Sequence, residues 1–370
     1  MGKGRGAVRR LGPRALNRAL LDRQLLLRRR RMPVLDAVER LVALQAQEPR
    51  DPYVALWTRL DRFRPEALAG PLKERRVVRM TLLRGTLHLV AARDALALRP
   101  LVQPVIERTL FGSSPLRKAV DSVDLHELLA FFRELLEERP RTRAELVRAA
   151  AERWPDHDST SLGYAMYLLP TVQVTPRGLW GTPGPSAFTT MERWLGRSPG
   201  PDTVPDDMVL RYLAVFGPAR PADVQSWSGL SRSRELLERL RPGLRTFLDE
   251  EGRELFDVPD GSLPDPDIPA PVRFLPEYDN VVLGHADRSR IVSPEVRLWT
   301  EVGWGGALVD GFGRARWKLE RADGTATLRI EPFGRLSRDE RAELSDEGRR
   351  LIRFLNNDAE VQDVHIARRR

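Results

Sequence analysis

Apolar residues recurring every three or four positions mark the helices of this chain, and alternation of apolar with polar residues marks its strands. From Asp206 to Pro259 one helical pattern ends at Gly217, a second covers "PADVQSW", and a third, past a turn at Gly229, covers "SRSRELLERL". "LRTFLDEEGRELFDV" then shows two strand-like runs about a Glu-Glu-Gly turn, the pattern of a β-hairpin. Three helices and a hairpin make the order of a winged helix.

The order recurs from Val123 to Gly184. Helical patterns over "LHELLAFFRELLEER", "TRAELVRAAAERW" and "SLGYAMYLLP" precede a strand-like "TVQVTP" and a glycine-containing wing, "RGLWG". A looser copy runs from about Ala15 to Arg93, with helices around "ALLDRQLLLRR", "VLDAVERLVALQ" and "YVALWTRLD" and a strand-like close, "VVRMTLLRGTLHLVAA". Beyond Pro259 a Pro/Asp loop leads to short β-like runs, "RFLPEYDNVVLG", "RIVSPEVRLWTEVG", "GALVDGFGRARWKLERADG" and "TATLRIEPFGRL", and then to a helix, "RDERAELSDEGRRLIRFLN". The expected class is α+β: three tandem winged-helix units with a mainly β module at the C-terminus. The expected boundaries are a basic disordered tail (1–14), winged helix 1 (15–120), winged helix 2 (121–184), a Pro/Gly-rich linker (185–205), winged helix 3 (206–260) and the C-terminal module closed by its helix (261–370).

Charge narrows the partners. The 370 residues carry a formal net charge of +9, almost all of the positive charge being arginine, with lysine only at Lys3, Lys73, Lys118 and Lys318. A basic surface attracts polyanions, and guanidinium forks bind phosphate bidentately, so nucleic acid leads the expectations. The arginine bias also fits a high-GC bacterial genome. Cysteine is absent, which removes disulfides, thiolate metal sites and thiol catalysis. The expected location is the cytoplasm, at the nucleoid when on DNA, and no apolar run approaches the length needed to span a membrane. No nucleotide-binding Gly-rich loop, dinucleotide fingerprint, nucleophile elbow or zinc-protease helix is present. The five histidines lack ligand-like spacing, so neither a metal nor a cofactor is expected.

One stretch breaks its own pattern. In "LVALQAQEPRDPYVALWTRL" an amphipathic helix runs into Gln45 and Gln47. On a helix, residues two apart point about 200° from each other; on an extended backbone they face the same side. Pro49 disfavours helical geometry at Glu48, so the helix is expected to end within "QAQEP". Either the two amides cap loose carbonyls at a helix end, or the backbone unwinds and both face one cleft.

That run, with "VVRMTLLRGTLHLVAARD", "FLPEYDNVVLGHADRSRIV" and "GALVDGFGRARWKL", resembles in the same order the winged-helix DNA glycosylases of the AlkZ/YcaQ type. In that family a Gln-Φ-Gln or Gln-Φ-Asp motif carries catalysis, Φ being hydrophobic, and Gln45-Ala46-Gln47 resembles the Gln-Φ-Gln, AlkZ-like branch. The resemblance implies a repair glycosylase that hydrolyses the N-glycosidic bond of cationic N7-alkylpurines, bulky adducts or interstrand crosslinks in double-stranded DNA, with Gln45 and Gln47 catalytic. The expected DNA contacts are Arg50, Arg84, Thr86, Arg232, Arg234, Arg314 and Arg316, with His88 either reaching the cleft or hydrogen-bonded beneath the sheet. The competing reading is a non-catalytic winged-helix regulator. Regulators usually pair through a dimerisation element, and no heptad seam is visible, so a monomer is expected.

Overall fold

The computed structural model describes residues 8–113, 115–120, 123–200, 204–293, 302–322, 324–356 and 361–367. The first region holds helices α1 (Pro13–Arg23) and α2 (Val34–Arg40), strand β1 (Leu44–Gln45), helices α3 (Asp51–Arg59) and α4 (Glu66–Lys73), and strands β2 (Val77–Thr81) and β3 (Leu87–Ala91). A long helix α5 (Ala92–Ser113) and a short α6 (Leu116–Val120) follow. The second region comprises α7 (Leu125–Glu138), β4 (Arg141–Thr142), α8 (Arg143–Arg153), α9 (Ser159–Leu162), β5 (Thr171–Gln173), β6 (Ala187–Thr190) and α10 (Met191–Leu195). In α7, Leu128, Phe132 and Leu136 are buried at four-residue spacing and Asp124 caps the first turn. Helix α8 starts on a capping box between Thr142 and Glu145.

The segment from 206 to 257 contains α11 (Asp206–Phe216), α12 (Pro221–Ser228), α13 (Ser233–Leu240), β7 (Arg245–Leu248) and β8 (Glu254–Asp257), in the order its pattern marked. After it come β9 (Arg273–Leu275), α14 (Asn280–Leu283), β10 (Gly305–Val309), β11 (Phe312–Ala322), β12 (Thr325–Pro332), α15 (Arg338–Leu355) and β13 (Val361–Ile366). Among the described residues, no helix is long and apolar enough to cross a membrane.

Strand pairing crosses the expected boundaries. One six-stranded sheet has the order β1-β3-β2-β5-β6-β4, so strands of the first and second regions are neighbours through Arg79↔Gln173 and Met80↔Val172. The first and third regions share a core in which Leu20, Leu21, Leu44 and Val90 pack in one cluster with Tyr212, Phe216 and Trp227. The second region keeps a core of its own around Leu128, Phe132, Leu146 and Met166. The C-terminal strands form a sheet in the order β13-β12-β11-β10-β9, which packs with Val54 and Trp57 of α3.

Four expectations change. The segment 185–205, read as linker, supplies β6, which hydrogen-bonds with both β5 and β4. The tail read as disordered to residue 14 is fixed well before that: Arg10 bridges Leu248, Leu11 is buried, and α1 begins at Pro13, while 1–7 lie outside the described residues. The run "RFLPEYDNVVLG" is a three-residue strand followed by a helical turn that Asp279 caps, and most of "RIVSPEVRLWTEVG" lies outside the described residues. Finally, α15 does not end the fold. It crosses back to β13, which runs parallel to β12, the connection that a helix between parallel strands provides.

Candidate functional site

Gln45 lies on a strand, the chain bends at Gln47, and the helix before them stops earlier than the prolines suggested. Helix α2 ends at Arg40, and Val42 takes a positive φ of 67°, a conformation a helix cannot continue through. Leu44 and Gln45 then pair with Leu89 and His88 of β3, and the Ala46 N–H donates to the Leu87 carbonyl at 2.9 Å. The glutamines therefore do not cap a helix end.

Their surroundings differ. Gln47 is exposed and lines a cleft of about 470 Å³ with Thr81, Gly85, Thr86, Tyr164, Tyr167, Gln173 and Arg177 among its walls. Gln45 is only 6% exposed, and its Oε1 accepts a 3.1 Å hydrogen bond from Arg84. That bond leaves the Gln45 amide N–H groups as its available donors. The cleft is built jointly: Ile106 and Leu110 come from α5, Gln173 and Phe188 from β5 and β6, and Tyr164 and Tyr167 from the 3₁₀ turn between α9 and β5. Among the described residues lining it, Arg177 alone is charged.

Beneath the motif the chemistry is ionic. Arg79 is 2% exposed, and its Nη2 donates to the Ala46 carbonyl at 2.6 Å, pinning the residue between the two glutamines. Burial pulls the Arg79 guanidinium down to about 10, with help from the like charge of Arg177. Asp51, at the start of α3, is buried, and burial together with Glu277 and Glu48 pushes its carboxyl up to about 8. Asn280 donates to the Ala43 carbonyl just upstream, and the neighbouring Asp279 forms a buried fork with Arg59 at 2.6 and 2.7 Å.

The remaining sequence candidates separate by what already occupies them. Arg84 adopts φ 57° in the tight turn before β3 and donates to Gln45 and to the Trp227 carbonyl at 2.7 Å; it is a brace between regions rather than a free phosphate contact. Thr86 lines the cleft beside Gln47 and donates to the Leu83 carbonyl. His88 is fully buried, its Nδ1 is 2.9 Å from the Thr86 carbonyl, and burial aided by Arg84 lowers it to about 3, so it is neutral and meets no DNA. Arg314 pairs with Glu340 and donates to the Arg335 carbonyl, while Arg316 pairs with Glu331 and lies over Trp304; both guanidiniums are held within the C-terminal module. Arg50, beside the motif and 6.0 Å from the Trp180 ring centroid, stays exposed, as do Arg232 and Arg234 at the start of α13.

Sequence reasoning missed Arg79, Asp51, Gln173, Arg177 and the two tyrosines. Only Asp51 carried a local signal, an acid in the first turn of a helix, and that signal also fits ordinary helix capping.

The comparisons agree with this architecture. The family described as "DNA glycosylase AlkZ-like" matches residues 38–354. No curated protein sequence matches the chain. Among solved structures, the Streptomyces sahachiroi DNA glycosylase AlkZ superimposes with a TM-score of 0.67 at 19% identity, covering 97% of this chain and 100% of that one. The fold is thus the mixed α+β fold of that protein, and the family match extends over the Gln-Ala-Gln motif, the cleft and the C-terminal sheet except β13. The chain belongs to the AlkZ-like DNA glycosylase family, enzymes that act on N-glycosyl bonds in DNA repair, and not to the non-catalytic regulators.

Proposed function

We propose that this glycosylase releases purines made cationic by alkylation at N7 from double-stranded DNA, with Gln47 acting at the reacting sugar. The observation that carries the reading is the cleft itself: Gln47 opens into it, and among its described lining residues there is no carboxylate. Glycosidic hydrolysis passes through an oxocarbenium-like sugar. An amide does not titrate near neutral pH and is a poor general base, but its carbonyl can hold a water against C1′ and present partial negative charge to the sugar. N7 alkylation already makes the purine a good leaving group, so positioning suffices. Gln45, its carbonyl engaged by Arg84, contributes through its N–H groups, orienting Gln47's water or the adjoining sugar-phosphate. The face of Tyr167 suits a cationic ring, whereas the Tyr164 ring already carries the Arg143 guanidinium at 4.2 Å from its centroid.

The open form of the cleft supports bulky adducts and crosslinks as substrates, because a tethered purine cannot be swung fully into a closed pocket. The helix-helix-helix-hairpin order of residues 206–257 supports reading the chain as tandem winged helices, three units of which straddle the duplex as a monomer. Arg50, Arg232 and Arg234 remain the phosphate contacts in this reading, with Thr86 at the cleft edge. The test is a duplex carrying N7-methylguanine, incubated with the protein and treated with alkali. Strand breaks are expected at the lesion, whereas uracil and hypoxanthine duplexes stay intact; efficient uracil release would overturn the mechanism.

A further inference from the structure

A second cavity lies at the other end of the elements that build the cleft. It encloses about 600 Å³ and is lined by Arg75, Arg76 and Arg93 on one side and Arg193 and Arg197 on the other, over a floor that includes Leu35, Ala91 and Leu96. Glu39 is the one carboxylate among its described lining residues, and it sits 3.4 Å from Arg93. Arg75 is fixed in place: its guanidinium carbon lies 4.1 Å from the Trp194 ring centroid and its Nη1 donates to the Trp194 carbonyl at 2.9 Å. Arg193 and Arg197 are exposed, and neither guanidinium has an ion pair among the described residues. Arg76 is paired with Glu74 at 2.7 Å and Arg93 lies 3.5 Å from Asp94, so Arg193 and Arg197, with Arg75 beside them, are what the cavity offers a polyanion, and each gains by replacing condensed counterions on phosphate.

Two internal rulers set its distance from the cleft. Arg76, just before β2, borders this cavity and Thr81 at the end of β2 borders the cleft, five residues apart, or roughly 16 Å. On α5, Leu96 and Ile106 do the same over ten residues of helix, about 15 Å. One DNA strand places its phosphates about 3.4 Å apart along the axis. The separation therefore corresponds to about five nucleotides.

We propose that the arginine-rimmed cavity formed by the turn before β2, the start of α5 and the end of α10 is a second phosphodiester-binding site, which grips the duplex about five nucleotides from the lesion. Its position relative to a lesion rests on the cleft reading, whereas its binding of undamaged DNA does not. The shared chemistry, an anionic phosphate ester, could also belong to a free nucleotide.

The experiment compares wild type with Arg193→Glu/Arg197→Glu, a pair of exposed changes whose folding is checked by circular dichroism. Fluorescence anisotropy measures binding to undamaged duplexes of about 8 and about 24 base pairs across a salt series. On the longer duplex the variant should bind on the order of tenfold more weakly, and the slope of log affinity against log salt should shrink by about two, one for each lost phosphate contact. The shorter duplex, which can seat on the cleft alone, should lose less affinity. An unchanged slope on the long duplex overturns the proposal. Titration with thymidine monophosphate separates the alternative source: a thermal stabilisation of the wild type that the variant loses, without any change in the long-duplex slope, would assign the cavity to a free nucleotide and also overturn it. Because undamaged DNA is used, failure here stays separate from failure to release N7-methylguanine.

Discussion

The segment bearing Gln45 and Gln47 separates two regions built from opposite materials. On one side is an open cleft walled by amides, hydroxyls and aromatic rings, with a single charged residue among its described lining. On the other is a buried layer of ionisable groups, in which Arg79 holds the Ala46 carbonyl, Asp51 feels the charge of Glu277, and Asp279 forks with Arg59. The difference teaches a division of labour. Carboxylates are withdrawn from the described lining of the cleft and buried charges set the backbone, while the group we propose to act on substrate is one that does not titrate. The cationic base we propose as substrate gains from such a cleft because no proton need be delivered to it, and the buried charges lock a two-residue strand that local pairing alone would hold weakly.

The comparison breaks most visibly at Gln47. Gln47→Ala should lower single-turnover release of N7-methylguanine by about 100-fold or more, the scale of losing one preorganised polar group at a reacting centre, with DNA affinity within a few-fold. Unchanged release would remove the open side of the strand from the chemistry. A smaller effect is expected at the seam. Arg84→Met removes the donor to the Gln45 carbonyl and the tie to Trp227, and about tenfold should be lost from turnover while affinity for the damaged duplex holds. If affinity falls and turnover does not, Arg84 contacts DNA and is not a brace. Lysine should rescue poorly, since one ammonium cannot reproduce the fork that spans both acceptors.

Much of this arrangement was legible in the sequence, and the misses share a cause. The requirement that Gln45 and Gln47 leave helical geometry followed from spacing alone. Where the helix stops did not, because "LVAL" reads as helix and only pairing with β3, more than forty residues away, makes Leu44 and Gln45 a strand. The elements from Asp206 to Asp257 were legible because α11 and α13 are amphipathic within their own length and glycines separate the segments. Strand β6 was not, since "AFTT" between proline-rich stretches gains its meaning from β4 and β5. The arginines were hardest. Nothing local distinguishes Arg84, whose acceptor at Trp227 is in another region, from Arg232, which stays exposed. In so arginine-rich a chain, the site is defined by which guanidiniums lack an internal partner, a property of tertiary contacts.

The finest test of the division falls on Asp51, which is buried next to the motif and does not line the cleft. Its carboxyl is held up at about 8, chiefly by burial and then by Glu277 and Glu48, whereas in the unfolded chain it ionises near 4. Between those values the folded protein keeps a proton that the unfolded chain releases. Its contribution to stability is therefore complete below about pH 4 and is lost progressively as pH rises through about 8. His88 and His285, both lowered to about 3 by burial, act on the opposite limb: their contribution is present above about pH 6.5 and lost as pH falls towards 3. Those histidines are common to wild type and Asp51→Asn, so they cancel when the two are compared. The melting temperature of the wild type should fall relative to Asp51→Asn between pH 5 and 8.5, by about 2 °C or more, while the release rates of the two proteins stay equal and flat across that range. A rate step near pH 8 that disappears in Asp51→Asn would mean that a buried carboxyl takes part in the chemistry, and the boundary between the two regions would have to be drawn on the far side of α3.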